Sequence, residues 1–126
     1  PLMRDGGSLI LVSSLAATKV LENHAVYAGT KAAISAFARN WALELKERRI
    51  RVNVLSPGPV DTAILNKLGI ADADRPGFLE LMSGMIPTGR LGEADELARA
   101  ALFLASDAAS FVNGIDLHVD GGMSLT

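Results

Sequence analysis

Residues 8–14 read Ser8-Leu9-Ile10-Leu11-Val12-Ser13-Ser14. The run is apolar from Leu9 to Val12 without alternation. That pattern predicts a strand covered on both faces, as in a parallel sheet. Asp5-Gly6-Gly7 in front of it reads as a turn. Residues 15–24 carry no clear period and read as a loop. From about Ala25 to Arg48 the pattern becomes helical, with Phe37, Trp41 and Leu45 at i, i+4 and i+8 as one apolar stripe. Ala28, Gly29, Ala32, Ala33 and Ala36 are small, so a neighbouring helix can approach this one closely. Arg51-Val52-Asn53-Val54-Leu55-Ser56 is a second short strand, stopped by Pro57-Gly58-Pro59. Gly92 to Ser106 predicts a second long helix. Glu93, Asp95 and Glu96 suit its positive N-terminus, and Leu97, Ala101 and Leu104 form its apolar face. Ile115-Asp116-Leu117-His118-Val119 alternates as a third strand, closed by Asp120-Gly121-Gly122. Strand, helix, strand, helix, strand implies crossover connections onto a parallel sheet, an α/β fold.

The chain of 126 residues predicts a single domain. Apolar residues make up 49% and charged residues 21%, which excludes disorder as the default. No apolar run approaches the ~18–20 residues of a membrane span, and no signal peptide is visible. The opening Pro1-Leu2-Met3 reads as part of something longer. With no cysteine there are no disulfides, thiol nucleophiles or Cys-ligated metals, and the composition fits a reducing, cytoplasmic setting. Residues 1–60 hold eight basic and four acidic side chains; residues 61–126 hold four and ten. The basic excess lies mostly in Lys46, Arg48, Arg49 and Arg51, where a helix ends and cations complement its dipole. One Trp and one Tyr offer few stacking platforms, so nucleic acid is not the expected partner.

Residues 61–91 are the least regular stretch. Leu65, Leu68, Phe78, Leu81, Met82, Met85 and Ile86 are interrupted by Gly69, Pro76, Gly77, Gly84 and Pro87. Short helices are expected there, with residues 63–90 forming a substrate-side insertion that closes as a lid. His24 and His118 have no metal-ligand spacing; His24 reads as a loop residue lining the cleft and His118 as a strand residue. Ser14 is not in a Gly-x-Ser-x-Gly elbow, which leaves a hydrolase without support.

Ligands on an open parallel sheet bind at the carboxyl ends of its strands. Ser13 and Ser14 end the first strand, and Pro57-Gly58 end the second. Tyr27 stands at the start of the long helix, with Lys31 one turn on and on the same face. A Ser, a Tyr and a Lys therefore converge on one edge of the sheet. A free phenol titrates near ~10 and is a poor base at neutrality; a nearby ammonium is the group that favours a phenolate. Such a set suits moving a proton on and off a carbonyl or alcohol oxygen. Ser13 reads as a plain strand-end residue.

Ser14, Tyr27 and Lys31, within Tyr27-Ala28-Gly29-Thr30-Lys31-Ala32-Ala33, resemble the short-chain dehydrogenases/reductases. So do Asn53-Val54-Leu55-Ser56-Pro57-Gly58-Pro59-Val60-Asp61-Thr62, Pro87-Thr88-Gly89-Arg90-Leu91-Gly92, Asn113-Gly114 and Val119-Asp120-Gly121-Gly122. The resemblance covers nearly the whole chain and points to the compact-subunit variety. It implies Tyr27 as general acid/base, Lys31 as the cation that supports it and holds the nicotinamide ribose, and Ser14 as the group orienting the substrate oxygen. Pro57, Gly58, Val60 and Thr62 would flank the nicotinamide of NAD or NADP. The implied reaction interconverts a secondary alcohol and a ketone on a small-molecule substrate, in a homodimer or homotetramer away from nucleic acid and membrane.

The family's Gly-rich turn, where a helix N-terminus receives the pyrophosphate, has no counterpart in this sequence. Also missing are the residue that tells NAD from NADP and the active-site Asn. The resemblance therefore implies the C-terminal half of a Rossmann-like doubly wound sheet: a single partial domain, the last three of seven strands. Residues 1–126 alone are expected to bind no nicotinamide and to associate through the edge at Leu9–Val12. Two other readings accompany the oxidoreductase. One is an inactive truncated fragment serving as an oligomerisation module; the other is an isomerase or dehydratase of the same wider fold, which the compact C-terminal third disfavours.

Overall fold

The computed structural model describes residues 2–63, 71 and 73–126. Leu65 and Leu68 of the expected insertion lie outside the described residues. The elements in chain order are β1 (Ser8–Val12), α1 (Ala25–Glu44), β2 (Arg51–Pro57), β3 (Val60–Asp61), α2 (Arg75–Gly84), β4 (Gly92–Glu93), α3 (Ala94–Ala105) and β5 (Asp116–Val119). Short 3-10 turns join several of them. The main sheet is parallel throughout in the order β1-β2-β5. Ser8 pairs with Arg51 and Val12 with Leu55 on one side of β2, and Val54 with Asp116 and Pro57 with Val119 on the other.

β2 is the buried strand: Val52, Asn53, Val54, Leu55 and Ser56 are each at most 4% exposed. The apolar run of β1 is less covered than its pattern predicts. Its residues are half-buried, and Val12 is 55% exposed. The reason is topological: among the described residues only β2 pairs with it, so one edge has no neighbouring strand.

α1 turns its small residues to the sheet. Ala38 and Ala42 pack with Ile50, Val52 and Val54, and Leu9, Leu11 and Leu45 close round them. The Phe37–Trp41 part of the predicted stripe points the other way. The two rings stack at 5.7 Å on the outer face, Phe37 half-exposed and Trp41 about a third exposed. Alanine allows the close helix-to-sheet approach that the two large rings would prevent. A second cluster, Leu15, Ile86 and Met123, ties the turn after β1 to the segment after α2 and to the C-terminus.

α3 begins two residues later than predicted, because Gly92–Glu93 pair with Val60–Asp61 as a short parallel ribbon. Glu96 accepts the Glu93 amide at 2.9 Å and a two-pronged contact from Arg90 at 2.7 and 2.8 Å. The Arg90 fork and the Glu93 amide hold the Glu96 carboxyl down at about 2. Leu104 is fully buried, and Leu97 and Ala101 are half-buried on the same face. Of the basic cluster, Arg51 serves a helix end, and that of α3 rather than of the helix before it. The Arg51 guanidinium donates to Leu104 O at 2.9 Å and Ser106 O at 3.1 Å, at the C-terminus of α3. Arg48 bonds Asp5 at 2.9 Å. No helix among the described residues is long and apolar enough to cross a membrane.

The entry to β5 hangs on one buried amide. Asn53, wholly buried, donates to Val112 O at 3.0 Å and accepts the Ile115 amide at 3.2 Å. Asn113 Oδ1 and Gly114 N answer with bonds of 2.8 Å to the Val52 amide and carbonyl. Asn53→Leu keeps the branched shape and removes both bonds. It is expected to cost about 1–3 kcal/mol, because the Ile115 amide loses its Asn53 acceptor and the Val112 carbonyl keeps only the longer bond from Arg51 at 3.4 Å; urea unfolding of parent and variant measures it.

Candidate active site

The cleft lies where the carboxyl ends of β1 and β2 meet the start of α1. After Val12 the chain keeps contact with the sheet through Ser13 N to Leu55 O at 2.9 Å. Ser13 is buried, and its hydroxyl donates to the Lys31 carbonyl at 2.9 Å, so it fastens α1 to the strand end. Ser14 is extended and caps a 3-10 turn over Leu15–Ala17, its Oγ accepting the Ala16 amide at 3.2 Å. That bond uses a lone pair and leaves the hydroxyl proton available.

Asn23 has φ of +61°, a left-handed conformation that turns the chain into α1. Tyr27 follows in the first helical turn and Lys31 in the next. The Lys31 ammonium stands 5.7 Å from the centre of the Tyr27 ring and donates to Val12 O at 3.3 Å. The Tyr27 side chain is half-exposed, facing the cleft rather than the core.

The cleft is an open groove of about 420 Å³. Its polar side chains are Ser14, His24 and Tyr27; Leu15, Ala16, Leu21, Pro57, Gly58 and Pro59 supply the rest. Thus Ser14, Tyr27, Pro57 and Gly58 share one cavity, with Lys31 adjacent to it through the Tyr27 ring. Val60 and Thr62 are not among its lining residues. Val60 pairs with Gly92 in the short ribbon, and Thr62 follows it, half-buried. Sequence reasoning missed the apolar lining from Leu15, Ala16 and Leu21, which adjoins the Ser14 motif but carries no chemistry of its own to mark it.

Gly58 must be glycine for a steric reason. A Cβ there would stand 2.6 Å from the Asp120 Cα, so the turn after β5 leaves it no room. Asp120 in turn orders that turn, accepting the Gly122 and Ser124 amides at 2.9 Å each. Burial raises the Asp120 carboxyl, but the Ser124 and Gly122 hydrogen bonds outweigh it and hold the group below its ordinary range. The relation between Gly58 and Asp120 was not legible in the sequence, because they lie in different motifs.

Residues 1–124 match the family profile described as enoyl-(acyl carrier protein) reductase. The chain belongs to the short-chain dehydrogenase/reductase family. D-threitol dehydrogenase of Mycolicibacterium smegmatis is 40% identical over 120 residues, which span 95% of this chain and 44% of that protein. The 3-oxoacyl-(acyl-carrier-protein) reductase of Escherichia coli K12 is 40% identical over 117 residues, 93% of this chain and 46% of the other. Among solved short-chain dehydrogenases, gluconate 5-dehydrogenase from Burkholderia cenocepacia, in complex with NADP and tartrate, superposes with a TM-score of 0.84 at 34% identity. It is covered over 46% of its length and this chain over 96%. Aldohexose dehydrogenase of Thermoplasma acidophilum reaches 0.89 at 30% identity, covering 98% of this chain and 50% of that one. The chain spans about half the length of the curated relatives it matches.

Asp120 supplies a pH test of the turn that supports Gly58. Its lowered carboxyl contributes stability that is present above its unfolded range, ~pH 4, and is lost as the pH falls through the lower folded value. Asp120→Asn is therefore expected to lower the melting temperature most at neutral pH, with the gap to the parent closing under acid. Thermal melts from pH 7 to pH 2 check it; a gap independent of pH would contradict the assignment.

Proposed function

We propose that this chain carries the proton-transfer site of an NAD(P)-dependent oxidoreductase interconverting a secondary alcohol and a ketone. The observation that supports it is the cleft itself: a Ser hydroxyl with a free proton, a Tyr facing the cavity, and a Lys ammonium beside that Tyr. In reduction the Tyr27 hydroxyl gives its proton to the carbonyl oxygen as it becomes an alkoxide. The Lys31 ammonium stabilises the phenolate left behind. Ser14 donates a second hydrogen bond to the same oxygen and fixes its position. In the oxidative direction the Tyr27 phenolate takes the alcohol proton back.

The nicotinamide, when bound, supplies or accepts the hydride. The residues present fit that end of NAD or NADP. Tyr27, Pro57 and Gly58 line the cleft at the strand ends with Lys31 beside the Tyr27 ring, and Val60 and Thr62 continue from Gly58. Among the described residues no Gly-rich turn joins a strand to a helix in the way that receives a pyrophosphate. Residues 63–90 would cover the substrate side, a role that suits the exposed Leu81 of α2 and Met85 just after it. A homodimer or homotetramer fits the exposed apolar surface: Phe37, Trp41 and Leu43 on α1, and Phe111 fully exposed after α3. The names of the relatives, among them a polyol dehydrogenase and a β-ketoacyl reductase, support a small carbonyl or alcohol substrate.

Tyr27→Phe removes the proton donor and little else. It is expected to lower kcat/KM by at least ~10²-fold in the intact natural protein. Steady-state kinetics with NADH and NADPH measure this, and turnover within a few-fold of the parent would remove Tyr27 from the mechanism.

A further inference from the structure

His24 occupies the position just before α1, where the residue's usual task is to cap the helix, and it does not perform it. Ser, Thr, Asp and Asn are favoured there because a side-chain oxygen can accept a free helix amide. The His24 side chain makes no such bond. Its Nδ1 instead lies 2.6 Å from the Glu22 carbonyl oxygen. Asn23, with φ of +61°, makes the turn that sets His24 at the helix start. The His24 side chain is thus not committed to the helix, and it lines the wall of the cleft.

A carbonyl oxygen only accepts, so the contact with Glu22 assigns the proton of the neutral ring to Nδ1. Nε2 then carries a lone pair and can accept from a donor that enters the cleft. Ser14 and Tyr27 are the other polar side chains lining the cleft among the described residues, and in the proposed reaction the reacting oxygen occupies both. The His24 and Tyr27 rings meet edge to face with centroids 6.4 Å apart, close enough to serve oxygens on neighbouring carbons. A ketone, an ester or a carboxylate offers no proton to Nε2; an alcohol does.

Building on the alcohol–ketone reading above, we infer that His24 is a specificity-determining residue whose Nε2 accepts a hydrogen bond from a second hydroxyl of the substrate. The preferred substrates are then short hydroxyketones and the corresponding vicinal diols. The apolar remainder of the wall, Leu15, Leu21 and Pro59, accommodates the carbon skeleton.

The test compares 3-hydroxybutan-2-one with butan-2-one, which differ by that hydroxyl, in the intact natural protein with NADH and NADPH. The parent is expected to favour the hydroxyketone in kcat/KM. His24→Phe keeps a ring against Tyr27 and removes the acceptor. It is expected to reduce the hydroxyketone-to-ketone ratio by about 5–10-fold, mainly through KM, as loss of one hydrogen bond implies. His24→Gln, which restores an acceptor oxygen, is expected to recover part of the ratio. A general loss of packing would lower both substrates together and leave the ratio in place, and that result overturns the inference. A parent that does not favour the hydroxyketone, or turns over neither compound, overturns it too. Tyr27→Phe in the same assay separates the two levels. If it abolishes turnover while the His24→Phe ratio is unchanged, only the role of His24 fails; if it leaves turnover intact, the underlying reading fails.

Discussion

A reciprocal pair of hydrogen bonds pins the start of α1 to the end of β1. The Ser13 hydroxyl donates to the Lys31 backbone carbonyl, and the Lys31 ammonium donates to the Val12 carbonyl. Ser13 is buried, so its bond is sheltered from competing water. Neither bond carries out chemistry, yet together they decide where chemistry can occur. They hold the helix turn that bears Tyr27 over the strand end that bears Ser14, and they keep the Lys31 ammonium beside the Tyr27 ring. Displacing that corner by an ångström would separate the groups that the proposed reaction brings to one oxygen.

The rest of the sheet supplies the rigid base for that corner, largely through polar groups in its core. Asp116 accepts from Ser56 at 2.6 Å and from Ser35 of α1 at 2.9 Å, linking β5, β2 and α1 in one network. Asn53 does the same for the loop entering β5, and Arg51 for the end of α3. Such groups are costly if half-satisfied and rigidifying when complete. The relation between Gly58 and Asp120 extends the same order to the cleft wall, because the turn after β5 can pass the end of β2 only where no Cβ intervenes.

The three main strands and two long helices were legible because each is a short, strongly patterned segment bounded by Gly, Pro or charged residues. The convergence of Ser14, Tyr27 and Pro57-Gly58 on one cleft followed from topology, since parallel strands bring their carboxyl ends to the same side. What failed to show was anything set by a partner distant in sequence. Periodicity marks an apolar stripe on α1 but not its direction. The sheet chose Ala38 and Ala42 over Phe37 and Trp41 because β2 lies too close for large rings. A continuous apolar run marks a buried strand, yet β1 is half-buried because burial also needs a neighbour on each edge. Arg51 looked like the complement of its own helix and serves α3 instead, a pairing that only the folded chain reveals.

The exposed edge of β1 bears directly on the site. Ser14 takes its position from the last residues of that strand, and among the described residues β2 alone pairs with them. A strand held on one side yields more readily to local opening than one held on both. Val12, whose carbonyl anchors Lys31, is the most exposed residue of the strand and the nearest to the cleft. Covering that edge would therefore do two things at once. It would remove a surface on which other chains could add a strand, and it would fix the Ser14–Tyr27–Lys31 geometry from its less constrained side. In this fold the stability of β1 and the precision of the candidate site depend on the same few backbone groups.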